Sequence, residues 1–342
     1  MGPWRPQVVW NGVILSYCFA ASILPMWLLL QPRGYLGGFF LYLTLAAGLA
    51  GLGFGGERIQ YPPFIGWSGP QGFPLVPMLF VTVACGACSG FHGIVSSGTT
   101  SKQISREPDC RLVGYGGMLL EGVVAVLALA TVMMLSPGDA TVQQSPDRIY
   151  ANGLSRFVEH LGINRDVARS FVLLAFATFI YDTLDVATRL GRYVFQELTG
   201  WRGAAGRIGA TLCTLALPAV CVSLTLTDAS GRVVPAWKMF WTIFGTSNQL
   251  LAALTLSALT VWLKREGKPW GLTAAPAVFM LVMTGWSLGY LAWPWLSALA
   301  QGRWAMDGIA LIALVLLVLA LFVVREAVAS LRPAASSHAA AV

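Results

Sequence analysis

Charge is what this chain has least of. Only 11% of its 342 residues are Asp, Glu, Lys or Arg, against roughly 25% in an average soluble protein, and that shortage excludes an ordinary soluble enzyme. Histidine is scarcer still, at three residues. No His-Glu-x-x-His string, no Ser/His/Asp order and no glycine-rich loop followed by Lys-Ser or Lys-Thr occurs, so no zinc hydrolase, triad enzyme or P-loop is expected. Cys85 and Cys88 have Cys-x-x-Cys spacing, but there is no second such pair and only His92 lies near. The six cysteines therefore read as small buried apolar residues. No metal, no cofactor and no enzymatic activity is expected.

What the chain has in quantity is apolar sequence, at 56% hydrophobic residues. Uncharged runs of about 20 residues match the length that crosses a ~30 Å hydrocarbon core. The fold class expected is all-α: a polytopic integral membrane helix bundle forming a single transmembrane domain over 1–342. Spans are read near 9–31, 35–55, 75–100, 113–136, 170–187, 206–227, 238–263, 274–296 and 307–324, with a flexible tail at 327–342. The connection 137–169 contains Pro137 and charges of both signs. A short surface helix around Arg156–Gly162 is expected there, in a loop that is the best candidate for a moving lid.

The net charge is +7, but the basic residues are scattered between apolar runs, which suits topology and anionic lipid better than nucleic acid. No nucleic-acid partner is expected. Lys and Arg concentrate in the connections after spans 1, 3, 5 and 7 and in the carboxy-terminal tail. That places the amino terminus outside and the carboxy terminus in the cytoplasm. The start Met1-Gly2-Pro3-Trp4-Arg5 has no basic n-region and no cleavage motif. An outside amino terminus is then what an odd number of preceding helices would give.

Ionisable groups at bilayer depth cost at least ~2.5–3.5 kcal/mol on translocon scales, so each asks for a partner or a function. His92, Glu121, Asp182 and Asp185 are the ones in this position. The stretch 84–102 also concentrates Gly86, Gly90, Gly93 and Gly98 with Ser89, Ser96, Ser97, Thr99 and Thr100. Either it is an unwound segment lining a cavity or it is a small-residue packing face. Glu121 reads equally as a proton acceptor or as a structural hydrogen-bonding group. In the fifth span Thr178, Asp182, Asp185, Arg189, Arg192 and Gln196 recur at offsets of about 3 and 4, which puts them on one helix face. Asp185 and Arg189 form an i,i+4 acid-to-base pair, either a structural lock or, with Arg192, an inner gate. The seventh span is interrupted by Gly245-Thr246-Ser247-Asn248-Gln249, whose adjacent amides either line a permeation path or bond neighbouring helices.

Four strings in order carry a family resemblance. They are Ala84-Cys85-Gly86 with Ser89-Gly90-Phe91-His92 and Ser96-Ser97-Gly98-Thr99-Thr100, then Gly114-Tyr115-Gly116-Gly117-Met118-Leu119-Leu120-Glu121, then Leu184-Asp185 with Ala187-Thr188-Arg189 and Gly191-Arg192, and Phe244-Gly245 with Asn248-Gln249-Leu250-Leu251-Ala252. In these the chain resembles the carbon starvation protein A family over about residues 1–265. The resemblance implies a bacterial inner-membrane carrier linked to peptide and pyruvate uptake. It also implies the carboxy-terminal part of an inverted-repeat, LeuT-like transporter fold, with 84–102 as a broken helix. Family members carry further spans upstream, including a Gly- and His-rich motif with no counterpart here. Cys88, Ile94-Val95 and Ser101 stand where other small or apolar residues and a Pro are expected.

The function expected is proton-coupled secondary transport of a peptide or a small carboxylate such as pyruvate. Ser89, Gly90, His92, Ser96, Ser97, Thr99, Thr100, Asn248 and Gln249 would contact substrate or ion. Glu121 or Asp182 would carry the proton, and Asp185, Arg189 and Arg192 would gate. The alternative expected is a non-transporting membrane subunit that packs against a separate amino-terminal half.

Overall fold

Pro25 stands two residues beyond the first helix and cannot continue it, so α1 (Pro6–Ile23) ends well before the boundary read at 31. The chain turns through Leu24–Leu29 and enters α2 (Leu30–Gly55) with Pro32 in its first turn, where a missing N–H costs nothing. Gln31-Pro32-Arg33-Gly34 is thus helix rather than connection. In the computed structural model the described residues are 6–69, 73–83, 88–136, 138–227, 233–302 and 307–331. Cys85, Pro137 and the tail beyond Leu331 lie outside them.

The remaining helices are α3 (Leu75–Val83), α4 (Gly90–Gly98), α5 (Asp109–Arg111), α6 (Gly117–Met133), α7 (Pro146–Glu159), α8 (Arg165–Thr199), α9 (Gly203–Ser223), α10 (Ala236–Met239), α11 (Trp241–Arg265), α12 (Gly271–Ala300) and α13 (Gly308–Leu331). One π turn, Leu112–Gly116, joins α5 to α6, and a two-stranded ribbon pairs Thr225–Thr227 with Val233–Pro235. Helix α13 continues to Leu331, into the segment read as tail.

Six helices among the described residues are long and apolar enough to cross a membrane: α2, the run from α5 to α6, α8, α9, α12 and α13. Three further sequence spans do not reach that standard. Helix α1 carries Pro6, Gln7 and Asn11 within its 18 residues, the 75–100 span is divided into two nine-residue helices, and α11 carries the polar run 245–249. Large apolar side chains such as Leu217, Val220, Leu321 and Phe322 stand exposed on the long helices, which is favourable against lipid tails and unfavourable against water.

The chain divides into two compact units, one of 1–65 with 97–225 and one of 66–96 with 226–342. In the first, α8 is the central helix, packed by α1, α2, α7 and α9. At 35 residues it runs about 50 Å, longer than the membrane core. Its start is fixed by Asn164, whose side-chain oxygen accepts from the N–H groups of Asp166 and Val167, and its end by Gly200 in the left-handed conformation.

The connection 137–169 differs from its sequence reading. Helix α7 begins earlier, at Pro146, and is not a surface helix: Ala151, Leu154 and Phe157 are fully buried, packed with Met134 and Val172. Glycines let it approach. An added β-carbon on Gly51 would fall 1.9 Å from the Phe157 carbonyl oxygen, and one on Gly48 would meet Leu154. Arg156 donates to both carboxylate oxygens of Glu57 at 2.9 and 3.0 Å, and His160 lies 3.3 Å from the same group. Before α7, Asp139 accepts hydrogen bonds from the Thr141 side chain and N–H, which hold its carboxyl below the usual range. Among the described residues this segment is anchored, so the lid reading finds no support in its packing.

In the second unit α11, α12 and α13 form a three-helix group with α3 against α11 and α12. Ile243, Leu250, Leu288, Ala292, Ala313 and Ala320 make its core.

Candidate functional site

The site residues read from the sequence fall in both units. Ser89, Gly90, His92, Ser96, Asn248 and Gln249 belong to the second, while Ser97, Thr99, Thr100, Glu121, Asp182, Asp185, Arg189 and Arg192 belong to the first.

In the second unit the helix read as spanning 75–100 is divided. Cys88 and Ser89 are non-helical and α4 starts at Gly90. A helix start leaves N–H groups without intrahelical acceptors, and here α11 supplies one. The side-chain oxygen of Asn248 accepts from the Phe91 N–H at 2.8 Å and from the Ser89 hydroxyl at 3.2 Å, and its amide donates back to that hydroxyl at 3.1 Å. Gly90 is required by this approach, since a β-carbon there would lie 2.3 Å from the Asn248 carbonyl oxygen. Gly93 faces the Thr255 side chain, whose hydroxyl would stand 3.0 Å from an added β-carbon. Helix α11 is itself continuous through 245–249, contrary to the interruption read in the sequence. Its polar groups are satisfied sideways: Thr246 lies 3.4 Å from Ser287, which in turn donates to the Met78 sulfur. Gln249 is fully buried. His92 and Ser96 are exposed, and the Ser96 hydroxyl donates to the Gly93 carbonyl.

Replacing Asn248 by Ala leaves the Phe91 N–H and Ser89 hydroxyl without this partner. The expected loss is about 1–3 kcal/mol in thermal unfolding of the detergent-solubilised protein; an unchanged midpoint would show that α4 does not depend on this contact.

In the first unit, Asp182 and Asp185 meet a residue that the sequence reading left in a connection. Arg33 of α2 holds Asp182 Oδ1 through Nε at 2.9 Å and Nη2 at 2.8 Å, and the same Nη2 lies 2.8 Å from Asp185 Oδ2. The Tyr17 hydroxyl of α1 donates to Asp185 Oδ2 at 2.9 Å. Asp185 is only 1% exposed, Arg33 17% and Asp182 26%. One guanidinium therefore bridges two carboxylates, and Asp185 Oδ1 keeps no hydrogen-bond partner among the described residues. Gly37, one turn beyond Arg33, leaves room for this: its β-carbon would stand 3.0 Å from Asp182 Oδ2. Beside the cluster is a cavity of about 410 Å³ whose wall includes Tyr17, Arg33, Thr178 and Tyr181.

Arg189 does not take Asp185 as its hydrogen-bond partner. Its Nη2 donates to the carbonyls of Ala21 at 2.5 Å and Leu24 at 2.7 Å, the groups that the end of α1 leaves open. A positive charge at a helix carboxy terminus is favourable there. Arg192 is buried with its guanidinium 4.7 Å from the Tyr193 ring centre, and Lys102 lies 4.6 Å from the same ring. Thr99 is buried, Thr100 begins a short 3₁₀ turn, and Ser97 accepts from Ser101 through its carbonyl. Glu121 is half-buried on α6.

Arg33 and Tyr17 were missed because neither interrupts an apolar run. The available signal was arithmetical: two carboxylates in one span need a cation, and several Arg and Lys near the span ends, Arg33 among them, could supply it.

The chain matches the family described as Carbon starvation protein CstA over residues 5–150 and 139–287. The Peptide transporter CstA of Helicobacter pylori strain J99 is 31% identical over 80% of this chain and 48% of its own length. The Pyruvate/proton symporter BtsT of Escherichia coli K12 is 31% identical over 84% of this chain and 52% of its own. The Peptide transporter CstA of Mycobacterium tuberculosis H37Rv is 30% identical over 78% and 45%. This chain spans about half the length of the curated relatives it matches. No solved structure matches it. With six membrane-length apolar helices and relatives named as transporters, it is a helical multi-pass membrane protein. By the extent of these matches, the chain belongs to the carbon starvation protein CstA family.

Proposed function

We propose that this chain forms the membrane part of a secondary carrier that takes up peptides or small carboxylates such as pyruvate together with protons. The observation that carries the reading is the Arg33–Asp182–Asp185–Tyr17 cluster, an ion group inside membrane-length helices. Charges at that depth are costly and are retained where they move ions or substrate. The names of the relatives, peptide transporter and pyruvate/proton symporter, support the same class of activity.

In this reading Asp182, the more exposed acid, accepts the proton, with Glu121 as a second candidate. Asp185, Arg189 and Arg192 hold the gate, and protonation loosens the hold of Arg33 on α8. The divided helix at Ser89 and Gly90, with His92 and Ser96 and with Asn248 and Gln249 behind it, contributes substrate contacts in the second unit, and Ser97, Thr99 and Thr100 contribute theirs in the first. The wider architecture is a LeuT-like inverted repeat of about nine crossings in one membrane domain, in the bacterial inner membrane, with the amino terminus outside and the carboxy terminus in the cytoplasm. Neither a cofactor nor a catalytic group is needed. A second reading, favoured by the coverage of about half of each relative, is that transport requires further membrane segments supplied alongside this chain.

Radiolabelled pyruvate and dipeptide uptake in cells expressing the chain tests this. Uptake above the vector control, abolished by a protonophore and reduced about tenfold or more by Asp182→Asn, is the expected result, since proton transfer groups contribute at least that much. Uptake indifferent to the protonophore contradicts proton coupling. Uptake that appears only when further segments are co-expressed favours the second reading.

A further inference from the structure

The cavity beside Arg33 has a mixed lining. Val13, Ile14, Leu29 and Leu36 are apolar, while Arg33, Tyr17, Tyr181 and Thr178 bring polar groups. The Thr178 hydroxyl is already committed to the Leu174 carbonyl and the Tyr17 hydroxyl to Asp185. Among the described residues, Arg33 is then the only cation on the cavity wall. Its volume of about 410 Å³ falls at the small end of ligand sites and suits an anion with a short apolar tail.

We propose that this cavity binds the carboxylate of a small organic anion on Arg33, and that Arg33 becomes available only when a proton replaces it on the acid pair. The inference rests on the carrier reading above and deepens it, by giving the anion and the proton one shared residue. The reasoning is charge accounting. Asp182 and Asp185 are balanced by Arg33 and Arg189, so an incoming carboxylate would add an uncompensated negative charge beside two carboxylates in a low-dielectric site. Such repulsion is strong there. A proton arriving with the anion restores the original charge: it bonds to a carboxylate oxygen of the pair, and Arg33 exchanges that oxygen for one of the ligand's. Asp185 Oδ1, buried and without a hydrogen-bond partner among the described residues, shows that the pair is not fully satisfied by Arg33 and Tyr17.

Among the described residues, the charged and titratable groups facing the pair are Tyr17 and Cys18 from α1, Arg33 from α2, and Tyr181 and Arg189 on α8 itself. Arg189 is held by the α1 carbonyls, and from α9 Arg207 faces Arg192 rather than the acids. Arg33 is therefore the cation free to change partners.

Equilibrium dialysis of radiolabelled pyruvate against the full chain in phosphatidylcholine nanodiscs, from pH 8 to pH 5.5, reads this directly. Saturable binding should tighten about tenfold or more as pH falls, the limit for one linked proton being about tenfold per pH unit. Asp182→Asn, which mimics the protonated acid, should bind at pH 8 as tightly as the unsubstituted protein at pH 5.5 and lose its pH dependence. Because that variant gains affinity, misfolding cannot imitate it. Arg33→Gln should abolish binding at both pH values. Absence of saturable binding, pH-independent binding, or an Asp182→Asn protein that still follows pH would each overturn the proposal. Discs containing phosphatidylglycerol separate the sources of anion: unchanged affinity supports a site for soluble carboxylates, whereas loss of binding assigns the cavity to lipid phosphate and overturns it. If binding follows these expectations while uptake fails, the carrier reading alone falls. If proton-driven uptake persists without this binding, the shared-residue proposal alone falls.

Discussion

Arg33→Leu should cost about 3–5 kcal/mol of stability, the penalty for stranding a buried charge when its partner is removed. Asp185 bears most of it, because it is 1% exposed and loses its ion-pair partner, keeping the Tyr17 hydroxyl. Asp182, at 26% exposure, can hydrate and contributes less. The cost is one of desolvation rather than of a lost attraction, so it should be recoverable by removing the stranded charge. Arg33→Leu combined with Asp185→Asn should therefore regain most of the loss, a coupling measurable as a double-mutant cycle by thermal unfolding in micelles. A single variant within about 1 kcal/mol of the parent, or a double variant no better than the single, would mean that the two residues are not coupled.

Gly51→Val should be nearly as damaging for a different reason. The β-carbon would fall 1.9 Å from the carbonyl oxygen and 2.3 Å from the carbonyl carbon of Phe157. Those are backbone atoms of α7 and cannot rotate aside, so α2 and α7 must separate and open the core of Leu154 and Phe157. Overpacking of this kind costs typically about 1–3 kcal/mol, and the lost burial of Phe157 adds to it. Gly53, two residues along α2, is the control, since a β-carbon there meets nothing within 4 Å. Gly53→Ala should be neutral or stabilising by up to about 1 kcal/mol, as alanine is the better helix former. Equal midpoints for Gly51→Val and Gly53→Ala would rule out the close packing of α2 on α7.

Much of this arrangement was legible along the chain, where the signal was local. The glycines and hydroxyls from Gly86 to Gly98 read as a poor continuous helix, and α3 and α4 are separate helices. The offsets from Thr178 to Gln196 put six polar residues on one face of what is a single helix, α8. The tertiary partners were not legible. Asp185 reads as paired to Arg189 because the two are four residues apart, yet its hydrogen bonds and ion pair come from Tyr17 and Arg33, more than 150 residues away along the chain for Arg33 and further for Tyr17. Arg189 instead serves the open carbonyls of α1, a need visible only once Pro25 has been seen to end that helix.

Helix α7 was misread for a related reason. Charges of both signs in 137–169 suggested a surface segment, but Arg156 is neutralised by Glu57 and the apolar stripe Ala151, Leu154, Phe157 and Val158 is buried. Adjacent amides are expensive in an apolar helix, which makes the polar run in α11 read as an interruption. Partners on other elements, such as Ser89 and the Phe91 N–H for Asn248, remove that expense without breaking the helix.

Proton movement on addition of substrate is the most direct test of whether the acid pair couples the two. The chain is reconstituted in vesicles with a trapped pH-sensitive dye, and an inward pyruvate gradient is applied alongside protein-free vesicles. Co-transport predicts acidification of the lumen beyond that baseline, absent in Asp182→Asn. Pyruvate entry with a steady luminal pH, or equal acidification in the Asp182→Asn protein, would contradict the assignment of the proton to the cluster that Arg33 holds.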